Sequence, residues 1–74
     1  MRTPESCRLR LGLNIRMRRH VMKLTQAELA QKLGCTNGTI SDWERGKRDI
    51  SVNMLFNLSR ALECPIRALL LDVE

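Results

Sequence analysis

The sequence predicts an all-α fold of five short helices, and three observations carry that prediction. Apolar residues recur at three- and four-residue spacing along most of the chain, while the β-branched alternation of a strand is absent. Hydroxyl residues suited to capping stand at Thr25, Thr36 and Ser51, just ahead of such stretches. Aromatic residues are scarce, with Trp43 and Phe56 the whole supply. That scarcity argues against a sandwich or barrel, and against a platform on which single-stranded bases could stack. At 74 residues the chain has room for one domain, residues 1–74. A hydrophobic share of 43% suits a small core, although a chain this short buries only about 60% of its unfolded surface, so that core is marginal.

Helix one is read through Leu11, Ile15 and Met22, which share a face, with the arginines opposite and Gly12 as a mild interruption. Residues 1–8 are expected to form a disordered arm ahead of it. Thr25 followed by Gln26 and Glu28 is the capping-box pattern, in which the Thr hydroxyl and the Glu carboxylate each satisfy the other's backbone N–H. Leu29, Ala30 and Leu33 then face inward, and Gly34 is suited to end helix two in the left-handed conformation. Thr36 caps helix three, where Ile40, Trp43 and Glu44 repeat at i, i+3 and i+4 before Arg45-Gly46-Lys47 stops it. Ser51 caps helix four, whose stripe is Leu55, Leu58, Ala61 and Leu62. Pro65 suits the first turn of helix five, where a missing N–H costs little. Ile66, Leu69 and Leu70 are expected to face the core.

Thirteen Lys and Arg against eight Asp and Glu leave a net charge of +5. Residues 1–23 carry Arg2, Arg8, Arg10, Arg16, Arg18, Arg19 and Lys23 against Glu5 alone. Such polarised charge fits a polyanionic partner, and equally a solvated helix face. Cys7, Cys35 and Cys64 form no CxxC pair and His20 is the single histidine, so neither a zinc set nor a disulfide framework is expected. The cysteines read as small hydrophobes in a reducing cytoplasm, and no metal or other cofactor is expected. His20 reads as an exposed helix residue, and Met17, Met22 and Met54 as core filler. No apolar run approaches the roughly 18 residues that span a bilayer, and no secretion signal is evident. No nucleophile stands in a defensible pattern with a base, so an enzyme is not expected.

From Gln26 to Arg45 the chain reads Q-A-E-L-A-Q-K-L-G-C-T-N-G-T-I-S-D-W-E-R. This resembles the helix-turn-helix of the lambdoid phage repressor and Cro proteins (the XRE-like family), and the resemblance extends over about residues 14–71. Ala30 is small where two helices cross steeply, and Gly34 supplies the positive φ of the turn. Leu29, Leu33, Cys35, Ile40 and Trp43 hold the second helix of the pair on the first. The resemblance implies a compact five-helix lambda-repressor-like domain, with the motif at 26–45 and double-stranded DNA as partner. Thr36, Asn37, Gly38, Thr39, Ser41 and Asp42 would then begin and line a recognition helix in the major groove. There Asn pairs with adenine N6 and N7, Thr meets a thymine methyl, and Asp accepts from cytosine N4. Gly38 departs from the family, which commonly places a long polar side chain in this stretch. Either the backbone approaches a base edge closely there, or readout leans on fewer side chains and on DNA shape. Thr25, Gln26, Arg45, Lys47 and Arg48 are placed for phosphates, with Gln26 at a helix N-terminus that favours an anion. Arg19 and Glu44 stand where the family commonly has a buried Arg–Glu pair, which would also hold Arg19 near the DNA backbone as a phosphate ligand.

The expected function is a sequence-specific transcriptional regulator of the phage repressor or Cro kind. It is expected in the cytoplasm, with no membrane partner and no small-molecule ligand. Antitoxins and restriction–modification controller proteins share the fold and are the alternative within the class. Two readings belong to other classes. The basic and apolar stretch at 9–19 could lie on a membrane surface, but it lacks Trp and Phe. A protein-interaction module could dock an acidic partner on its arginines, which leaves Gln26 and the recognition-helix sequence unexplained. The chain ends soon after helix five, so a separate oligomerisation domain is not expected. One recognition helix reads few base pairs, which predicts a homodimer on a palindromic operator, weak without DNA, with Leu71 at its interface.

Overall fold

The computed structural model describes residues 3–73, which form α1 (Pro4–Val21), α2 (Gln26–Leu33), α3 (Asn37–Glu44), α4 (Val52–Ala61) and α5 (Ile66–Leu69). No strand occurs among the described residues. The middle helices start where hydroxyl caps stand. The Thr25 hydroxyl accepts from the Glu28 backbone N–H at 3.0 Å, and the Thr25 N–H donates to the Glu28 carboxylate at 2.8 Å. These bonds favour the charged carboxylate and hold Glu28 below the usual glutamate range. Thr36 and Ser51 accept in the same way from the N–H groups of Thr39 and Met54. Gly34 ends α2 at φ 71°, as its sequence position predicts. The ends of α1, α4 and α5 lack glycine, and Lys23, Glu63 and Asp72 take the left-handed conformation there instead.

Each helix or its flank contributes to one core: Ile15 from α1, Leu29 and Ala30 from α2, Ile40 and Trp43 from α3, Leu58 from α4, Leu62 and Cys64 from the turn after it, and Leu69 from α5. Leu11, Leu33, Cys35 and Met54 pack against this cluster. The three cysteines are free thiols, and burial pushes the Cys35 thiol up. No helix among the described residues is long and apolar enough to cross a membrane.

Four expectations need correction. The supposed arm at 1–8 is helical from Pro4 onward, with Met1 and Arg2 lying outside the described residues. Thr3 and Ser6 cap each other's backbone N–H reciprocally. Arg8 ties the first turns to the body through the Gly46 carbonyl at 3.3 Å and Asp49 at 3.2 Å. Gly12 is no interruption but the point of closest approach between α1 and α3. A Cβ there would overlap the Trp43 carbonyl oxygen and lie 2.7 Å from that of Glu44. Arginines do not have the outer face of α1 to themselves, since Leu9, Leu13 and Met17 are exposed on it, so Met17 is not core filler. Leu70 is exposed as well. α5 is a single turn, Leu70 already serves as its C-cap, and Leu69 alone enters the core.

Candidate nucleic-acid interface

At about 100° per residue, Asn37, Gly38, Ser41, Asp42 and Arg45 fall on one arc of α3 and its C-cap roughly 140° wide. Ile40, Trp43 and Glu44 occupy the opposite arc and are buried. The first arc faces outward: Asn37, Gly38 and Arg45 are exposed, and Ser41 and Asp42 are half-buried. Thr36 and Thr39 bond to each other through their hydroxyls at 3.0 Å, at the start of the helix. Both threonines are therefore held by capping geometry rather than left free. Gly38 has open space around it, since a Cβ there would meet only the Thr36 hydroxyl at an ordinary 3.8 Å.

The turn between α2 and α3 is closed by backbone bonds from Gly34 N–H to the Gln31 carbonyl at 3.3 Å and from Cys35 N–H to that of Ala30 at 3.0 Å. This rigid turn sets the angle at which α3 leaves the body. Beneath it lies a buried polar cluster. The Arg19 guanidinium donates to the two Glu44 carboxylate oxygens at 2.6 and 3.1 Å, and to the Leu24 carbonyl at 2.8 Å. Glu44 accepts a third bond from the Gln26 side-chain amide at 3.0 Å. Arg19 is only 8% exposed, and its guanidinium is held inside the protein by three bonds to two partners, Glu44 and Leu24. Its effect reaches the surface through Glu44, which orients Gln26 at the N-terminus of α2.

The other residues expected on phosphates lie on the surface. Thr25, Lys47 and Arg48 are exposed and Gln26 is half-buried. Arg45 and Arg48 flank Asp42, with guanidinium nitrogens 3.1 Å from one carboxylate oxygen and 3.6 Å from the other. Two features had no clear signal in the sequence. Asn14 is buried, donates to the carbonyls of Leu69 and Leu71 at 2.8 and 2.7 Å, and accepts twice from Arg10. It clamps the end of α5 onto α1 and so positions Leu71, which is 61% exposed. The bond between Gln26 and Glu44 is the second.

A helix-turn-helix family model matches residues 7–69 of the chain. The chain belongs to the helix-turn-helix family of phage repressor and Cro type. It is 40% identical over 60 residues to the HTH-type transcriptional regulator DicA of Escherichia coli, covering 81% of this chain and 44% of that protein. It is 41% identical over 54 residues to Repressor protein C2 of Salmonella phage P22, covering 73% of this chain and 25% of the repressor. The chain therefore spans less than half the length of either relative. Among solved structures, the restriction–modification controller protein C.AhdI of Aeromonas hydrophila superposes with a TM-score of 0.80 at 29% identity, covering 84% of this chain and 94% of that one. The P22 c2 repressor, crystallised in complex with a synthetic operator, superposes with a TM-score of 0.75 at 39% identity, covering 82% and 92%.

Proposed function

We propose that this helix-turn-helix chain is a sequence-specific double-stranded DNA-binding transcriptional regulator. In this reading α3 enters the major groove, and Asn37, Ser41 and Asp42 meet base edges. Thr36 and Thr39 are fixed at the helix entrance, and Gly38 leaves the backbone bare. Gln26, Thr25, Lys47 and the arginines Arg45 and Arg48 would take phosphates, which position the protein without reading sequence. The observation that carries the reading is the division of α3. Polar and small residues share its outward arc with a cluster of arginines, while every large apolar residue of the helix is buried on the other side. The P22 c2 repressor, a structural neighbour, was crystallised with a synthetic operator, and that supports the same class of partner here. Controller proteins are the second reading within this function, favoured by the mutual coverage with C.AhdI.

The test is selection of binding sites from a pool of random duplex DNA. A preferred sequence with two half-sites about 34 Å apart is the expected outcome. Affinity should fall roughly 10³–10⁵-fold between 50 and 200 mM salt if 6–10 phosphates are neutralised per pair of protomers. Retention of no duplex at low salt would overturn the proposal.

The pair itself is assigned to the surface around Leu71. Leu71 and Met17 line one shallow depression with Arg10, Asn14, Arg18 and Ala68, and Leu70 and Leu13 are exposed as well. The depression offers a partner more than one terminal leucine. Monomer at micromolar concentration and cooperative binding on a palindromic site are expected. Leu71→Arg should abolish the cooperativity and keep half-site binding. Cooperativity in that variant would place the interface elsewhere.

A further inference from the structure

We infer that Asp42 is a specificity-determining residue that works by exchange. In the free protein it holds the phosphate-binding arginines, and on DNA it releases them only where a base edge replaces them. The inference rests on the DNA-binding reading above. Its basis is the arrangement at the end of α3. The two carboxylate oxygens of Asp42 are divided between two guanidinium groups, Oδ1 facing Arg45 at 3.1 Å and Oδ2 facing Arg48 at 3.6 Å. Arg45 reaches it from one turn along the helix, and Arg48 from the loop that follows. Both guanidinium side chains remain more than half exposed, at 57% and 55%, whereas Asp42 is 33% exposed. The acid is therefore the more fixed member of the cluster; Arg48 is held by Asp42 at 3.6 Å, and Arg45 has besides Asp42 one long bond to the Ser41 carbonyl at 3.4 Å.

Exposed pairs of this kind are weak, so a phosphate can compete for each arginine. A phosphate and a carboxylate each offer a guanidinium a pair of acceptor oxygens. Once both arginines move to phosphates, the Asp42 carboxylate is left on the groove side of α3, in the negative potential of the duplex. A cytosine amino group is the base-edge donor that a carboxylate accepts from in the major groove. Where cytosine N4 lies opposite, the charge is compensated. Elsewhere the carboxylate either keeps its arginines, which costs phosphate contacts, or stands uncompensated beside phosphates. Both outcomes penalise non-cognate DNA. Glu44, two residues further along the same helix, takes no part, because Arg19 and Gln26 occupy its oxygens.

The test uses the full chain and the near-isosteric substitution Asp42→Asn, with melting followed to confirm folding. Binding is measured on random-sequence duplex and on the duplex selected by the parent protein. Asp42→Asn should tighten binding to random duplex about 5-fold, the scale of one exposed charge pair near contact. It should also lower the ratio of selected to random affinity about 10-fold. In a background of Arg45→Ala and Arg48→Ala, the gain on random duplex should be clearly smaller than about 5-fold, since only the repulsion of the carboxylate remains and no guanidinium is left to be released. Site selection with Asp42→Asn should lose a cytosine preference at one position per half-site. Equal gains with and without the arginines would make Asp42 a lone repulsive charge and overturn the exchange. Unchanged affinity or an unchanged base preference would overturn it too, while leaving the DNA-binding reading intact. If the parent protein retains no duplex, both fall together.

Discussion

The two faces of α3 carry the same chemistry in opposite surroundings. On the inward face, Glu44 meets Arg19 in a bidentate pair, both almost fully buried, and Gly12 of α1 lies against the carbonyls of Trp43 and Glu44. On the outward face, Asp42 meets Arg45 and Arg48 in partly exposed pairs, and Gly38 has open space around it. One carboxylate–guanidinium cluster and one glycine stand on each side. The inward set holds the helix in place. Burial makes an unpaired partner costly there, because a charge stripped of water has no other compensation. The outward set adds little to folding, since water replaces any contact that is lost. A buried, stabilising cluster and an exposed, exchangeable one are thus separated across the width of a single eight-residue helix.

The sharpest break of this contrast is Glu44→Ala. It leaves Arg19 buried without its counter-charge, at a cost of about 3–5 kcal/mol, in a domain whose whole stability is roughly 4–11 kcal/mol. Denaturant titration should find the variant largely unfolded or close to it, and a midpoint near the parent's would mean that water reaches Arg19. Replacing both partners with apolar residues, Arg19→Met with Glu44→Leu, should restore most of the loss.

Gly12→Ala comes next. The added methyl group cannot fit between α1 and the carbonyls of α3, so the helices must part, at about 1–3 kcal/mol. Thermal melting that matches the parent would contradict the close approach. Gly38→Ala should do the reverse. With only an ordinary contact at 3.8 Å, the methyl group is accommodated, and removing a helical glycine raises stability by up to about 0.5–1 kcal/mol. Weaker duplex binding despite that gain would mark Gly38 as a place of close DNA approach, whereas unchanged binding would assign readout to the neighbouring side chains. The smallest effect on folding is expected from Asp42→Asn, within about 0.5 kcal/mol by denaturant titration. A loss on the scale of Glu44→Ala would erase the distinction between the faces.

Much of this was legible in the residues, and the reason is range. The caps at Thr25, Thr36 and Ser51, and the left-handed end at Gly34, depend on partners within about four positions, so spacing alone exposes them. The apolar stripes of α2, α3 and α4 are equally local in their periodicity. Arg19 and Glu44 were legible as a buried pair only through family resemblance, which did not give the bond that Gln26 adds to Glu44. Helix α1 misled most, because its apolar residues lie on more than one face. Leu9, Leu13 and Met17 follow helical spacing as well as Ile15 does, yet they face outward.

By itself the sequence determined that helices start after the caps at Thr25, Thr36 and Ser51, with a glycine turn between the second and third. It also determined which residues line the outward arc of α3, since an arc follows from the helical period once the helix is set. Only the tertiary structure decided that Gly12 is a contact and not a flaw. It also decided that Asn14 clamps the carbonyls of Leu69 and Leu71, and that the two carboxylates of α3 stand in opposite surroundings. Asn14 finds its partners 55 and 57 residues away, and Arg19 finds Glu44 at a separation of 25. Asp42 and Glu44 are two residues apart and nearly alike in chemistry. The packing of α1 removes one from water and leaves the other beside it, and that difference in solvation makes one a buried brace and keeps the other accessible at the surface.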